Sequence, residues 1–422
     1  MKQEKIKIIT SYLAISCSMA LGFILMYAIT KYGSLEVFGQ FSILKSTAGL
    51  LSGILTFRTG EAVTKYYQTY YVSGEFEKSK LSIIIGLCID LLISALLIII
   101  FYVISTVGYT YFNFQSEIMN VFFLFGFTSI FSILRGSSIG YFQAKNYILY
   151  INIFSILESL LIISLIGLII IHFGTLDLRD VVLIHICVYG LITIFYYLTL
   201  LFYYKREFCN FKCVIDKSLI KEYARFSITV FTSSLLKAVN RNSDNVILGI
   251  FLSTTDVGLY NSIKKVFSSI EIIAHPWTML TYGKLVALYT RAEITQFKLI
   301  IESKTRFILL LSLLLGLLLL LNIKEIFSYM GVTTEYNLMM LSIVMMVSFL
   351  INSMVWWSRV FSNVVDPMIS VKANFCTMLY QLIWVPVIIY MFTINGAIFS
   401  VLALNIMLAA YILKKYMELG RK

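Results

Sequence analysis

The chain is patterned as long apolar stretches separated by short polar ones. Twelve stretches stand out, at about residues 8–29, 38–57, 81–104, 117–134, 148–171, 181–202, 226–250, 259–282, 306–322, 338–357, 369–391 and 396–413. Most approach the roughly 20 residues that a helix, rising about 1.5 Å per residue, needs to cross about 30 Å of hydrocarbon. Only three prolines occur in 422 residues, so helix is rarely opposed. The pattern predicts an all-α polytopic membrane protein of about twelve transmembrane helices.

Composition and charge sharpen this reading. Hydrophobic residues make up 59% and charged residues 13%, and the mean hydropathy is +0.87, far from a soluble domain on both counts. Lysine and arginine should collect in cytoplasmic connections. Placing both termini in the cytoplasm puts 25 of the 34 basic residues on that side and only Lys31, Arg179 and Lys324 in the opposite connections. The net charge of +12 is therefore mostly a topology signal, and nucleic acid is not expected as a partner. Lys2, Lys5 and Lys7 ahead of the first stretch, with Cys17 after Ala14-Ile15-Ser16, imitate a signal peptide or lipidation box. That stretch is longer than a signal core and eleven more follow it, so it reads as the first span. No cysteine falls in an outside connection, and Cys209 and Cys213 have no nearby histidine. Neither a disulfide framework nor a metal site is expected.

The longest interior polar stretch, residues 203–226, divides six spans from six. This predicts two six-helix bundles, 1–202 and 226–422, joined by a cytoplasmic linker at 203–225. The halves echo each other at an offset of 219 residues: Gly39, Phe41 and Lys45 match Gly258, Tyr260 and Lys264, and Lys65 matches Lys284. A parallel repeat of this kind suits a transporter with its substrate between two bundles.

The remaining basic residues, Lys45, Arg58, Lys237, Arg241, Lys264 and Lys265, lie within spans or at their edges. Lys237, Arg241 and Asp244 are spaced by four and three, and share one helical face. Lys264, Ser268, Glu271 and His275 repeat the stripe just before Pro276. Asp90 and Glu158 add carboxylates in the first half. Each charge at mid-membrane costs about 2.5 to 3.5 kcal/mol on insertion scales, so these groups should face one another or water. Pairing between Arg241 and Asp244, and between Glu271 and Lys264 or Lys265, would make them structural. Yet the six cations outnumber Asp90, Glu158, Asp244 and Glu271, with Glu61 at a helix end. A buried positive excess calls for an anionic substrate, so the six cations are candidate phosphate or acidic-sugar contacts in a water-filled cavity. Trp277, Trp356 and Trp357 read as interface or packing aromatics and His185 as a core residue. No Walker A or HExxH motif occurs, so the usual carriers of ATP hydrolysis and zinc proteolysis are missing and an enzyme is not expected.

Four segments carry a family resemblance: "GSLEVFGQFSILKS", "TFRTGEAVTKYY", "ILRGSSIGYFQAKNY" and "NRNSDNVILGIFLSTTDVGLYNSIKKV". In their order within the twelve-span frame they resemble the polysaccharide transporter family of the multidrug/oligosaccharidyl-lipid/polysaccharide (MOP) exporter superfamily, the O-antigen flippases in particular. The resemblance implies a MATE-like fold in the bacterial inner membrane. It implies translocation of an undecaprenyl-pyrophosphate-linked oligosaccharide from the cytoplasmic to the periplasmic leaflet, by alternating access without an organic cofactor. H+ or Na+ would be the coupling ion, with Asp90, Glu158, Asp244, Glu271 and His275 as candidate carriers. Membrane lipids, an O-antigen polymerase and a chain-length regulator are the implied partners. Two other readings stay open. The polymerase itself would carry a large periplasmic loop, whereas the longest outside connection here, about 323–337, holds one lysine and two glutamates. A multidrug exporter of organic cations would want a net acidic cavity.

Overall fold

The structure is a computed structural model, and it describes residues 2–56, 58–111, 116–209, 216–291, 293–332, 337–358, 361 and 365–419. Side chains at 1–15, at 107–120 and at scattered positions of the second half, Lys237, His275 and Lys284 among them, lie outside the description. The described chain is helical throughout, without strands. The helices are α1 Lys2–Tyr32, α2 Leu35–Leu55, α3 Thr59–Val72, α4 Phe76–Tyr111, α5 Ser116–Leu134, α6 Gly136–Ala144, α7 Ile148–Phe173 and α8 Leu178–Phe208. The second half holds α9 Lys217–Phe251, α10 Thr254–Ser268, α11 Glu271–Thr290, α12 Ile294–Leu321, α13 Ile323–Tyr329, α14 Leu338–Met354, α15 Pro367–Leu379, a π-helical turn Tyr380–Trp384 and α16 Val385–Glu418.

Among the described residues each of the twelve apolar stretches falls mostly on helix, and the fold class is the one the sequence predicts. Among the described residues six helices are long and apolar enough to cross a membrane by length and composition alone. The helix α12 shows what surrounds them. Its buried residues Phe297, Ile301, Ile308, Ser312, Gly316 and Leu320 form one stripe, while Leu310, Leu313, Leu314, Leu317, Leu318 and Leu321 are exposed. A helix apolar on its outer face as well is one whose solvent is lipid.

Breaks subdivide the predicted spans. Arg58, in the left-handed region at φ 45, separates α2 from α3, and α16 breaks at Thr393 (φ 52, ψ −135), between the eleventh and twelfth stretches. Such conformations cost a non-glycine residue about 1 kcal/mol or more and persist only where packing over-determines them.

The chain divides into two compact units, residues 1–25 with 43–242 and residues 26–42 with 243–422. In the first unit α3 and α6 meet backbone to backbone: a Cβ on Gly140 would lie 2.3 Å from the Gly60 carbonyl oxygen. In the second, Leu285, Phe297, Trp356, Trp357 and Phe361 build one apolar core. Both tryptophans therefore serve packing, and the Trp357 ring sits 4.7 Å from that of Tyr416.

The second unit also joins the two repeated segments. A Cβ on Gly39 would stand 1.8 Å from the Thr254 carbonyl oxygen, and one on Gly258 would stand 2.1 Å from that of Leu35. Thr254 is Leu35 displaced by 219 residues, so the contact is reciprocal, each repeat glycine admitting the other repeat's backbone. The helix starts match too. Ser34 accepts from the Val37 N–H at 3.2 Å, and Ser253 accepts from the Asp256 N–H at 3.1 Å, both side-chain caps at the same register.

Candidate functional site

In the second unit α9 and α10 form an antiparallel hairpin across Leu252 and Ser253. The hairpin brings Asp244 opposite Lys264, whose ammonium pairs with Asp244 Oδ2. The Tyr260 hydroxyl donates to the same oxygen at 3.0 Å, and Asn261 Nδ2 donates to Asn245 Oδ1 at 2.9 Å. Tyr260 is only 1% exposed, so its hydroxyl needs this acceptor. Asp244 Oδ1 is buried without a hydrogen-bond partner among the described residues.

This geometry differs from the two structural pairings that the sequence left as alternatives. Arg241 does not neutralise Asp244: it is exposed, while the carboxylate turns across the hairpin to Lys264 and Tyr260. Glu271 accepts from Asn352 Nδ2 on α14, while Lys264 pairs with Asp244. Lys265 is half-buried one position beyond Lys264. The side chains of Lys237 and His275, which complete the two expected stripes, lie outside the described residues.

In the first unit the carboxylates have different partners. Asp90 on α4 is fully buried. Its Oδ1 accepts from the Thr59 hydroxyl at the start of α3, and its Oδ2 accepts from the Ser137 N–H at 2.9 Å in the first turn of α6. Asp90 thus ties three helices together and faces the positive end of one of them, which offsets part of the cost of burying its charge. Beside it lies a cavity of about 170 Å³ lined by Ser52, Thr56, Arg58, Thr59 and Ser132 among others. That volume suits a few waters or an ion, but not a sugar. Arg58 also forms an ion pair with Glu61. Glu158 on α7 is neutralised by Arg135, whose guanidinium stacks 4.9 Å from the centre of the Tyr189 ring. Lys45 is exposed on α2.

The sequence reading missed Arg135 as the partner of Glu158 because it placed that residue in a connection. It also missed Tyr260 as a ligand of Asp244 and the α6 N-terminus as the partner of Asp90. The 219-residue offset holds a signal for the first site. Asp244, Tyr260 and Lys264 correspond to Leu25, Phe41 and Lys45, so the second copy carries a carboxylate and a hydroxyl where the first is apolar. Among the described residues no group of three or more His, Cys, Asp or Glu is placed to hold a metal ion.

None of the characterised proteins compared matches the sequence. The fold is similar to that of a multidrug resistance MATE family transporter of the MOP superfamily in an inward-facing conformation, with a TM-score of 0.76 and 11% identity over 96% of each chain. It is also similar to a MOP superfamily transporter from Pyrococcus furiosus, whose binding pocket is described as having reverse polarity, with a TM-score of 0.65 and 12% identity over 98% of this chain and 95% of that one. A multidrug resistance MATE family transporter in an outward-facing conformation gives a TM-score of 0.64 at 12% identity over 98% and 95%. Identities this low establish the fold alone. Residues 7–282, more than half of the chain, match the family described as polysaccharide biosynthesis protein, and the chain belongs to that family.

Proposed function

We propose that the protein is a membrane transporter of lipid-linked oligosaccharide, an O-antigen flippase that carries an undecaprenyl-pyrophosphate-linked unit from the cytoplasmic to the periplasmic leaflet. The observation that carries this reading is the excess of cations among the charges that the sequence places in its spans, Lys45, Arg58, Lys237, Arg241, Lys264 and Lys265 against Asp90, Glu158, Asp244 and Glu271. A pyrophosphate offers two negative phosphoryl groups to lysine and arginine, whereas an organic cation would meet repulsion. Family membership supports a polysaccharide cargo. On this reading the working halves are the bundles 1–202 and 226–422, the protein sits in a bacterial inner membrane with both termini in the cytoplasm, and it acts beside an O-antigen polymerase and chain-length regulator.

Lys45 and Arg241 are the proposed phosphate contacts. Transport is coupled to H+ or Na+, with Asp90 the leading carrier because it is a buried carboxylate beside a small cavity and outside the three ion pairs. The experiment is complementation of surface O-antigen in a flippase-null strain, with membrane abundance measured alongside. Arg241→Ala should lose O-antigen at normal abundance, and Arg241→Lys should lose it in part, because a point charge does not replace a bidentate fork. Normal O-antigen in Arg241→Ala would remove that residue from the site.

A further inference from the structure

We infer that the second unit carries a separate binding site for a phosphoryl group, in a cleft at the helix ends nearest the C-terminus. The cleft has a volume of about 810 Å³, within the range of small-molecule sites. Three helices each contribute a lysine to it: Lys298 from α12, Lys372 from α15 and Lys415 from α16. Two carboxylates, Asp366 and Glu418, share the lining, and both are engaged. Asp366 Oδ1 caps α15 by accepting from the Met368 N–H at 2.9 Å, and Glu418 Oε2 lies 2.7 Å from Lys415 Nζ.

Three lysines against two carboxylates leave the cleft net positive by one, and with Lys415 paired to Glu418 the cations that remain for a ligand are Lys298 and Lys372, while Asp366 keeps its charge. Lys298 Nζ rests 5.4 Å from the centre of the Tyr416 ring, a contact that leaves ammonium protons available to an anion. Tyr289 and Tyr411 add hydroxyl donors to the same lining. The rest of the lining includes apolar Ile294, Val365, Ile369 and Leu419, the last three packed with the core of Phe297, Trp357 and Phe361. Converging cations and hydroxyls against an apolar wall select an amphipathic phosphoryl compound over a bare inorganic ion. The phosphodiester of an anionic lipid headgroup fits this chemistry, and so does a soluble sugar or polyol phosphate. The site is independent of the membrane-embedded charges and does not rest on the transported substrate.

The test uses the full-length protein, the double variant Lys298→Gln/Lys372→Gln and the conservative Lys298→Arg/Lys372→Arg. A control, Lys205→Gln/Arg206→Gln, removes two exposed charges from the first unit. Native mass spectrometry counts phosphatidylglycerol retained from mixed phosphatidylcholine micelles, and a thermal-shift titration in phosphatidylcholine alone uses sn-glycerol 3-phosphate and inorganic phosphate. Apparent affinity should fall about tenfold in the glutamine variant, be retained in the arginine variant and be unchanged in the control. Loss confined to phosphatidylglycerol identifies the source as lipid, and loss confined to glycerol phosphate identifies it as soluble. Equal binding of every probe by the wild type and the glutamine variant, or an equal loss in the control, overturns the site. A glutamine variant that unfolds leaves the decision to the arginine variant, whose loss of all binding would equally overturn the claim that charge is what the cleft supplies.

Discussion

The segments 18–56 and 237–275 are copies of one pattern, and they differ in what they bury. Both keep a glycine at the crossing, Gly39 and Gly258, and a lysine six residues on, Lys45 and Lys264. Around that lysine the second copy adds Lys237, Arg241, Asp244, Lys265, Glu271 and His275 where the first has Ser18, Gly22, Leu25, Ser46, Ser52 and Thr56. The shared features are those that let two helices approach, and the divergent ones set charge. Packing therefore holds the copies alike, while the electrostatics were free to specialise. Lys264 is neutralised by Asp244 within its own copy, whereas the position that supplies that carboxylate to Lys264 is Leu25 for Lys45.

The largest expected effect comes from breaking what the copies share. Gly39→Ala or Gly258→Ala drives a methyl group into a backbone carbonyl that cannot step aside, and each should cost about 3 kcal/mol or more. The loss would show as missing membrane protein or a lowered midpoint of thermal unfolding in detergent. Gly167 has nothing within 4 Å of the place a methyl group would take and is the control: Gly167→Ala should be neutral or stabilise α7 by up to about 1 kcal/mol. If the crossing glycines tolerate alanine as Gly167 does, the reciprocal contact is not a constraint.

The next effect comes from making the second copy resemble the first. Asp244→Leu leaves Lys264 and the buried Tyr260 hydroxyl without their acceptor and should destabilise by about 2–4 kcal/mol. Adding Lys264→Met and Tyr260→Phe should recover most of that loss, because the polar groups then leave together. Thermal unfolding of the single and triple variants decides the matter: a triple variant no more stable than Asp244→Leu would mean the cluster is not a closed unit. Tyr260→Phe alone should cost only about 1 kcal/mol. Smaller again in stability is Lys45→Ala, an exposed substitution expected to fall within about 0.5 kcal/mol of the wild type.

The fold was legible because apolar stretches of membrane length need no partner to declare themselves, and a repeat was suggested by Gly39, Phe41, Lys45 and Lys65 matching Gly258, Tyr260, Lys264 and Lys284. The break at Thr393 was anticipated as the gap between two stretches. The break at Arg58 was not, since its positive φ is imposed by packing and a non-glycine residue gives no signal of it. The site was legible by residue type and not by pairing. Arg241 and Asp244 share a helical face, which suggested a pair, but the hairpin brings Lys264 to Asp244 from 20 residues away. Arg135 and Glu158 meet across 23 residues, and Asp90 meets Ser137 across 47. Such contacts depend on how helices dock, and periodicity along one helix carries no record of that. The lysines of the second-unit cleft were counted in the sequence as topology signals, because no spacing joins Lys298, Lys372 and Lys415.

On the proposed reading the cationic set serves a phosphate-bearing lipid-linked oligosaccharide, and Lys45 is the member whose matched carboxylate position holds Leu25. The most direct measurement is the leaflet distribution of that lipid in cells lacking the protein, read with a membrane-impermeant sugar label, after re-expression of the wild type, Lys45→Ala or Lys45→Arg. The wild type should move the pool to the outer leaflet, Lys45→Ala should leave it on the inner leaflet at normal protein abundance, and Lys45→Arg should restore much of the movement. An outer-leaflet pool of the same size with Lys45→Ala as with the wild type, or one that never depends on the protein at all, would contradict the account.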